Sequence, residues 1–316
     1  MKAIIFESFG DSSQLKLSTM ATPQPAENEV LIAIEYTSVN VVDIKIRKGL
    51  LTKRIPAVFP VIPGWDAAGV IKAVGKNVTQ LKVGDEVYAY CRKSVIQWGT
   101  YAEYVVFDAV NVTLKPKKLT FSQAAAIPLV SLTAWQALFN AAHLRSGETI
   151  LIHAGAGGVG GMAIQFAKNC GAKVITTCRE SHFDYVKSHG ADEAIDYSKE
   201  DFVEKIKAKH FQGLDVVFDT VGGETMQKSI PLLKAGGRLV SLIEHMDEAE
   251  AKKHSIQFTY VFVVPSGPDL KQIGELIDAG KVVAPKIEEF PLERAAEAQD
   301  KLASGHVEGK LVLKIN

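Results

Sequence analysis

A glycine-rich segment between a predicted strand and a predicted helix constrains the fold more than any other part of this sequence. In ILIHAGAGGVGGMAIQFAK, residues 150–168, three glycines have the spacing G-x-G-x-x-G. Such glycines permit a tight turn, close approach of the backbone to a pyrophosphate, and close packing of the helix on the strand. The helix N-terminus adds partial positive charge. We therefore predict a dinucleotide cradle formed by Gly155, Ala156, Gly157, Gly158, Val159 and Gly160.

The segments around this turn alternate between strand and helix, and the predicted strands are nearly continuous apolar runs. This pattern indicates a doubly wound parallel sheet. Before it, from residue 2 to about 115, short β-branched and aromatic runs indicate a β-rich domain with one helix between Asn40 and Gly49. We predict an α/β protein with a β-rich domain over residues 1–122, a nucleotide-binding domain over 123–262 and a return segment over 263–316. The charged run 244–255 is predicted to be a solvated loop.

Composition excludes several classes of function. The 36 basic residues balance 36 acidic ones, so no overall field attracts nucleic acid or an anionic membrane. No stretch approaches the roughly 20 apolar residues of a membrane span. Three scattered cysteines, Cys91, Cys170 and Cys178, suit a reducing compartment better than a disulfide framework. We expect a soluble, cytoplasmic protein without a targeting segment.

The strand after the glycine turn, KVITTCRE, bears on which nicotinamide dinucleotide binds. An NAD enzyme usually presents Asp or Glu there, about 20 residues after the glycines, to bind the ribose 2′-hydroxyl. Here Thr177 and Arg179 end the strand, and a guanidinium suits a 2′-phosphate. NADPH is therefore expected, although Glu180 facing the ribose would reverse the preference. Ser181, His182 and Tyr197 are predicted as further hydrogen-bond donors to this phosphate.

Matching motifs extend over nearly the whole chain, and together they resemble one branch of the medium-chain dehydrogenase/reductases. The branch is that of the zinc-independent quinone oxidoreductases (zeta-crystallin-like) and enone reductases. The most specific motif is GETILIHAGAGGVGGMAIQFAK, and others are SVNVVDIKIRKG, PGWDAAGVI, VGDEVYAY, SLTAWQAL, GADEAIDY and FDTVGG. The resemblance implies a GroES-like β-rich catalytic domain, a Rossmann domain, an active-site cleft between them and a homodimer. It also implies nicotinamide contacts at Thr133, Val221, Gly222, Val264 and Lys310.

The chain departs from the zinc-containing members of that superfamily at the ligand positions. Those members carry a Cys near the start of the first helix and a His-Glu pair after a later glycine. The corresponding positions here hold Val41, Trp65 and Asp66, and the structural lobe with four cysteines is missing. Since neither a thiolate nor an imidazole is available, we expect no catalytic zinc.

Chemistry without a metal favours acceptors that are already activated. Quinones and α,β-unsaturated carbonyls spread the developing negative charge onto oxygen, so the site must mainly position them and donate hydrogen bonds. By resemblance the catalytic candidates are Asn40, Asp43 and Lys45. Asn40 and Lys45 could donate to a substrate or ribose oxygen, and Asp43 could orient Lys45 or cap a turn. The same resemblance implies enones over quinones, because many quinone reductases of this branch have a Tyr where Lys45 stands and enone reductases more often have a Lys. A solvated helix lysine at position 45 and ordinary helix caps at Asn40 and Asp43 are the alternative interpretations.

Two other functions compete with this prediction. An enoyl-thioester reductase of the same superfamily would use the same hydride chemistry, but no basic cluster suggests a groove for the phosphates of coenzyme A. A crystallin-like protein that binds NADPH without catalysis is the second alternative. His153 lies in a predicted core strand and is interpreted as a packing residue.

Overall fold

The computed structural model describes residues 1–210, 212–305 and 307–315. The strands of these residues are β1 (Lys2–Ile5), β2 (Lys16–Thr19), β3 (Glu29–Val39), β4 (Ala57–Ile62), β5 (Asp66–Val74), β6 (Glu86–Tyr90), β7 (Ile96–Trp98), β8 (Tyr104–Asp108), β9 (Val112–Leu114), β10 (Thr149–Ile152), β11 (Lys173–Cys178), β12 (Glu193–Asp196), β13 (Leu214–Asp219), β14 (Leu233–Ser241), β15 (Gln257–Tyr260), β16 (Ile287–Pro291) and β17 (Lys310–Lys314). The α-helices are α1 (Val41–Arg47), α2 (Phe121–Ala125), α3 (Pro128–Trp135), α4 (Gly158–Asn169), α5 (Phe183–Ser188), α6 (Phe202–Lys209), α7 (Gly223–Ser229), α8 (Glu248–Lys253), α9 (Gly267–Asp278) and α10 (Ala295–Ala303). A π-helical segment, Gln136–Ala141, continues α3, and single 3₁₀ turns lie at Ser12–Gln14, Ala109–Asn111, Glu180–His182, Ile230–Leu232 and Leu292–Arg294.

The chain divides into two compact units. The first unit comprises Met1–Leu129 and Val264–Asn316, and the second comprises Val130–Val263. The predicted combination of a β-rich part and a parallel-sheet part is confirmed. Among the helices that the structure describes, none is long and apolar enough to cross a membrane.

The first unit is built on a seven-stranded sheet with the order β16-β17-β3-β5-β6-β9, in which β8 also pairs with β3. Alternate residues of β3, including Val30, Ile32 and Ile34, point into one hydrophobic core because successive side chains of a strand face opposite sides. The C-terminal strand β17 runs antiparallel to β3 and places Leu311 opposite Val39. Residues near the end of the chain therefore lie beside the start of α1.

The second unit is a six-stranded, wholly parallel sheet with the order β12-β11-β10-β13-β14-β15. Its first strand in sequence, β10, lies between β11 and β13. The direction of winding therefore reverses at the carboxyl end of β10, which is where doubly wound sheets bind their ligands. The glycine-rich turn begins at that end of the strand.

The prediction of a solvated loop over residues 244–255 is wrong in its middle part, where the chain forms α8. The carboxylate of Asp247 caps this helix by accepting a hydrogen bond from the N–H of Glu250. Lys252 and Glu248 form an i,i+4 ion pair on the exposed face. Ala251 is buried against the core of the second unit. One small apolar residue in a charged run gives no periodic signal, so the helix was not predicted.

Candidate functional site

Two of the three motif glycines are required by the packing of the second unit itself. A Cβ atom at Gly155 would lie 2.1 Å from Oγ1 of Thr176, and one at Gly160 would lie 2.3 Å from the carbonyl oxygen of Ala154. Both distances are far below any real contact. The predicted roles of these glycines, a tight turn and close approach of helix to strand, therefore have a direct steric basis.

Gly157 differs from its two neighbours in the motif. Its φ of −77° suits any residue, and a Cβ there would meet only the carbonyl oxygen of Ala154, at 3.4 Å. Nothing in the packing or the backbone of this unit therefore requires glycine at position 157. The residue caps α4 and, like Gly158 and Val159, is partly exposed, whereas Ala156 is buried. A bare backbone before a helix N-terminus is the arrangement that a pyrophosphate needs, so the residues present fit a bound dinucleotide.

A cavity of about 400 Å³ lies beside the glycine turn. Three residues predicted to bind the cofactor, Thr177, Tyr197 and Val221, contribute to its walls. Val221 is held by Asp219, whose Oδ1 accepts hydrogen bonds from the N–H groups of Val221 and Gly222 at 3.0 and 2.9 Å. Gly222 has a φ of +79°, which favours glycine.

His153 also lines this cavity, and its ring is fixed by hydroxyl groups on both sides. Nδ1 lies 3.0 Å from Oγ1 of Thr177, and Nε2 lies 2.8 Å from Oγ of Ser229. Burial lowers the pKa of His153 to about 4, so the ring is neutral near pH 7. The hydroxyl of Thr177, a predicted cofactor-binding residue, is buried and bonded to His153 and to the N–H of Ala154.

The loop after β11 carries the predicted ligands of the 2′-phosphate and is joined to the loop after β12. Arg179 and Ser181 are exposed and His182 is partly exposed, and none of these predicted phosphate ligands lines the cavity. The carboxylate of Glu180 pairs with the ammonium group of Lys199 rather than with Arg179. Buried Asp196 connects the two loops, because it accepts hydrogen bonds from the N–H groups of Glu180 and Ser198 at 3.1 and 2.9 Å.

The first unit holds a buried polar cluster formed by Ser38, Asn40, Asp43, Asp66, Tyr101 and Lys310. The amide nitrogen of Asn40 donates to Oδ2 of Asp66 at 2.8 Å and to Oγ of Ser38 at 3.2 Å, and Oδ1 of Asn40 accepts from Nζ of Lys310 at 2.5 Å. Both polar ends of the Asn40 side chain are therefore engaged inside the protein. The prediction that Asn40 donates to a substrate is not supported by this arrangement.

Asp43 acts as a cap and not as a partner of Lys45. Its Oδ2 accepts the backbone N–H of Asn40 at 2.8 Å and the hydroxyl of Tyr101 at 3.1 Å. Burial raises the pKa of Asp43 to about 7, and the nearby carboxylate of Asp66 adds to the shift. Lys45 lies two residues further along α1 and is partly exposed. Of the two roles considered for Asp43, the hydrogen bonds support capping.

Burial also raises the pKa of Asp66 and lowers that of Lys310, and their opposite charges counteract both shifts. Hydrogen bonds favour the charged forms. The Asp66 carboxylate accepts from Ser38, from Asn40 and from the N–H of Leu129. Lys310 donates to Val39 O at 3.0 Å as well as to Asn40. The Asn40 amide thus bridges the Asp66 carboxyl group and the Lys310 amino group, which do not contact each other directly.

The remaining predicted contacts are distributed between the two units. Thr133 is buried in α3, whereas Val264 is about half exposed.

Sequence reasoning missed Asp66 as a functional candidate, although its position had been compared with a zinc ligand. It also missed Ser38 and Tyr101, for which no local motif gave a signal. Among the described residues, no group of three or more His, Cys, Asp or Glu side chains could hold a metal ion.

Comparison with known proteins shows which families, relatives and solved structures this chain is similar to. Residues 26–117 match the family model described as alcohol dehydrogenase GroES-like domain, and residues 189–313 match the one described as zinc-binding dehydrogenase. The chain is 37% identical over 324 residues to the chloroplastic NADPH-dependent alkenal/one oxidoreductase of Arabidopsis thaliana, and 38% identical over 324 residues to the 2-methylene-furan-3-one reductase of Solanum lycopersicum. Each alignment covers 99% of this chain and 79% of the relative. The solved quinone oxidoreductase from Coxiella burnetii has a TM-score of 0.89 and 35% identity, covering 100% of this chain and 99% of that one.

Proposed function

The chain belongs to the quinone oxidoreductases and alkenal/one oxidoreductases of the medium-chain dehydrogenase/reductase superfamily, and we propose that it transfers a hydride from NADPH to a conjugated carbonyl compound without zinc. The acceptor class is a quinone or an α,β-unsaturated aldehyde or ketone. Enones are favoured, because a Lys stands at position 45 and because the two plant relatives are named as alkenal/one and 2-methylene-furan-3-one reductases.

The observation that carries the proposal is the bare backbone at Gly157. Packing accounts for Gly155 and Gly160 but not for Gly157, whose Cβ would have room, and the close approach of a bound pyrophosphate is a physical reason for glycine there. The N–H groups of the turn and the first turn of α4 would hold the pyrophosphate. When bound, the nicotinamide supplies the hydride. The residues proposed for its surroundings are Thr133, Val221, Gly222 and Val264.

The preference for NADPH rests on the residues after β11. Glu180 was the one residue that could have reversed it, and its carboxylate is neutralised by Lys199. Arg179 is exposed directly after the strand. We propose it as the ligand of the 2′-phosphate, because a guanidinium forms two parallel hydrogen bonds with a phosphate. The name of the Arabidopsis relative, which includes NADPH, supports the same assignment.

The side chains at the compared ligand positions do not fit a catalytic zinc ion, although one matching family model carries zinc in its name. Trp65 offers no lone pair, and Val41 is aliphatic. Asp66 could coordinate a metal, but its carboxylate already accepts three hydrogen bonds. We therefore derive no catalytic step through a metal.

The task of this chain is then to position the acceptor and to stabilise the negative charge that develops on its carbonyl oxygen. With both ends of the Asn40 amide engaged, Lys45 is the better proposed donor to that oxygen. Its ammonium group is partly exposed and is carried on a helix whose first turn is fixed by Asn40 and Asp43. Such a donor acts mainly in the transition state, where the oxygen is most negative.

Two further parts of the proposal concern assembly and location. A homodimer is implied by the family resemblance, and the parallel sheet ends at β15, where a second copy could extend it. A cytoplasmic location is proposed because all three cysteines, which lie in the described part of the chain, are free thiols. Light scattering on the purified protein tests the first proposal.

The proposal is tested by following NADPH oxidation with a panel of quinones, 2-alkenals, simple ketones and enoyl thioesters. We expect quinones and 2-alkenals to be reduced and simple ketones to be inert. Preferred turnover of enoyl thioesters would assign the chain to the alternative reductase class. Binding of NADPH without turnover of any electrophile would show a non-catalytic protein.

A further inference from the structure

We infer that Lys310 is a positioning residue, whose buried ammonium group serves as an internal cation that fixes Asn40 and thereby the first turn of α1. This inference deepens the proposed function and rests on it, since α1 carries the proposed donor Lys45. The family resemblance implies that Lys310 contacts the nicotinamide. The hydrogen bonds of its side chain support a positioning role instead.

Strand pairing brings Lys310 to Asn40. The antiparallel register of β17 and β3 sets Leu311 opposite Val39, so Lys310 lies beside the residue that begins α1. Nζ of Lys310 donates to Val39 O at 3.0 Å and to Oδ1 of Asn40 at 2.5 Å. The side chain is 5% exposed, so water does not replace these partners.

The Asn40 amide lies between two opposite charges. Its oxygen faces the Lys310 ammonium group, and its nitrogen faces the Asp66 carboxylate at 2.8 Å. Rotating the amide by half a turn would direct its N–H groups at the cation and its oxygen at the anion. The two opposite charges therefore allow only one orientation of Asn40.

The orientation of Asn40 is transmitted to α1 through the backbone. Asn40 is the N-cap of this helix, and its N–H is held by Asp43, which is itself held by Tyr101. Lys45 follows within the next turn. Loss of the cation would leave the carboxylates of Asp66 and Asp43, both 0% exposed, without a positive charge. The polar cluster would then rearrange, and the start of α1 would move with it.

The test removes the cation and then supplies it from solution. Lys310→Ala deletes atoms that propylammonium reproduces, namely three carbons and the ammonium nitrogen. We expect Lys310→Ala to lower Tm by about 5 to 10 °C and kcat by about 30- to 100-fold, with KM for NADPH within about threefold of wild type. Propylammonium should restore kcat at least tenfold and recover part of Tm, whereas uncharged 1-propanol should do neither.

Two variants control for packing and stability. Lys310→Met fills the space without a charge, so propylammonium should not rescue it. Arg238→Met removes an ion pair with Glu148 in the second unit, where the two side chains are 15% and 19% exposed. It should lower Tm without a comparable loss of kcat, because Arg238 has no part in the proposed site.

The inference is overturned if Lys310→Ala retains the kcat of wild type, or if propanol rescues as well as propylammonium. Should Lys310→Ala fail to fold, Lys310→Met combined with Asp66→Asn removes both charges, and this pair is expected to fold with low kcat. Wild-type kcat in that double variant would also overturn it. If wild type reduces no acceptor, the proposed function fails, while the effect of propylammonium on Tm still decides whether the site holds a cation.

Discussion

Replacing Gly157 by alanine should separate cofactor binding from folding. The new Cβ would lie 3.4 Å from the carbonyl oxygen of Ala154, which is ordinary van der Waals contact, and φ is already −77°. Alanine is a poorer N-cap than glycine by about 0.5 to 1.5 kcal/mol. Reduced freedom of the unfolded chain offsets about 0.4 to 1 kcal/mol of this. The free energy of unfolding should therefore change by no more than about 1 kcal/mol.

The same methyl group should strongly weaken the binding of NADPH. It would point into the space through which a phosphate approaches the N–H groups of the turn. Losing one charge-assisted hydrogen bond costs about 1.5 to 3 kcal/mol, which raises Kd about 10- to 150-fold. Fluorescence titration with NADPH gives Kd, and urea unfolding of the unliganded protein gives the free energy of unfolding.

Gly160→Ala is the matched control for Gly157→Ala. Its Cβ would lie 2.3 Å from the carbonyl oxygen of Ala154 and 2.7 Å from Cα of Gly155, both backbone atoms that cannot move aside easily. We expect a loss of at least about 2 to 3 kcal/mol of stability. A folded Gly157→Ala protein that binds NADPH within twofold of wild type would refute the proposed approach of the pyrophosphate. Equal destabilisation by both substitutions would refute the steric distinction between the two glycines.

Three further substitutions test other residues. Arg179→Ala should raise KM for NADPH about tenfold or more and change KM for NADH much less, and equal effects on both would contradict the 2′-phosphate assignment. Lys45→Ala should slow the reduction of an enone more than that of a simple quinone; kcat on both acceptors decides, and equal losses would argue against a donor at the carbonyl oxygen. Asp43→Asn tests whether the Asp43 carboxyl group has a pKa of about 7 in the folded protein, which is above the usual pKa of an aspartate in an unfolded chain. The folded state therefore holds a proton that the unfolded state releases above about pH 4, so wild-type stability should fall as pH rises from about 4 to 7, by up to about 1.4 kcal/mol per pH unit. Urea unfolding at several pH values should show a smaller slope for Asp43→Asn, and an unchanged slope would place the titration elsewhere.

The glycine turn was predictable because everything that defines it is local. Spacing, the preceding apolar strand and the following helix all lie between Thr149 and Asn169, and the structure forms the turn there. Sequence could not show that, of the three motif glycines, only Gly157 has room for a side chain. That difference depends on how Ala154 and Thr176 pack around the turn, and Thr176 belongs to the next strand.

Charge pairing on the surface was less predictable than the fold. Arg179 and Glu180 are adjacent in the sequence and opposite in charge, yet they do not form the ion pair. Instead Glu180 pairs with Lys199, because Asp196 draws the loops after β11 and β12 together through its hydrogen bonds to two backbone N–H groups. The sequence contains both loops but not their distance, which follows from the order of strands in the sheet.

The polar cluster of the first unit shows why a local motif can mark Asn40 without defining its hydrogen-bond partners. A motif at the end of β3 marks Asn40, but the two charged partners of its amide come from β5 and β17, and Lys310 is 270 positions away in sequence. An amide with unsatisfied donors could donate a hydrogen bond to a substrate, whereas an amide that is hydrogen-bonded at both ends stabilises the surrounding fold. The register of β17 against β3 decides between these roles, since a shift of one residue would turn the side chain of Lys310 to the other face of the sheet. Catalytic assignment at Asn40 therefore depends on a strand pairing that no local motif reports, and Lys45, whose side chain is partly exposed, becomes the stronger candidate for contact with the acceptor.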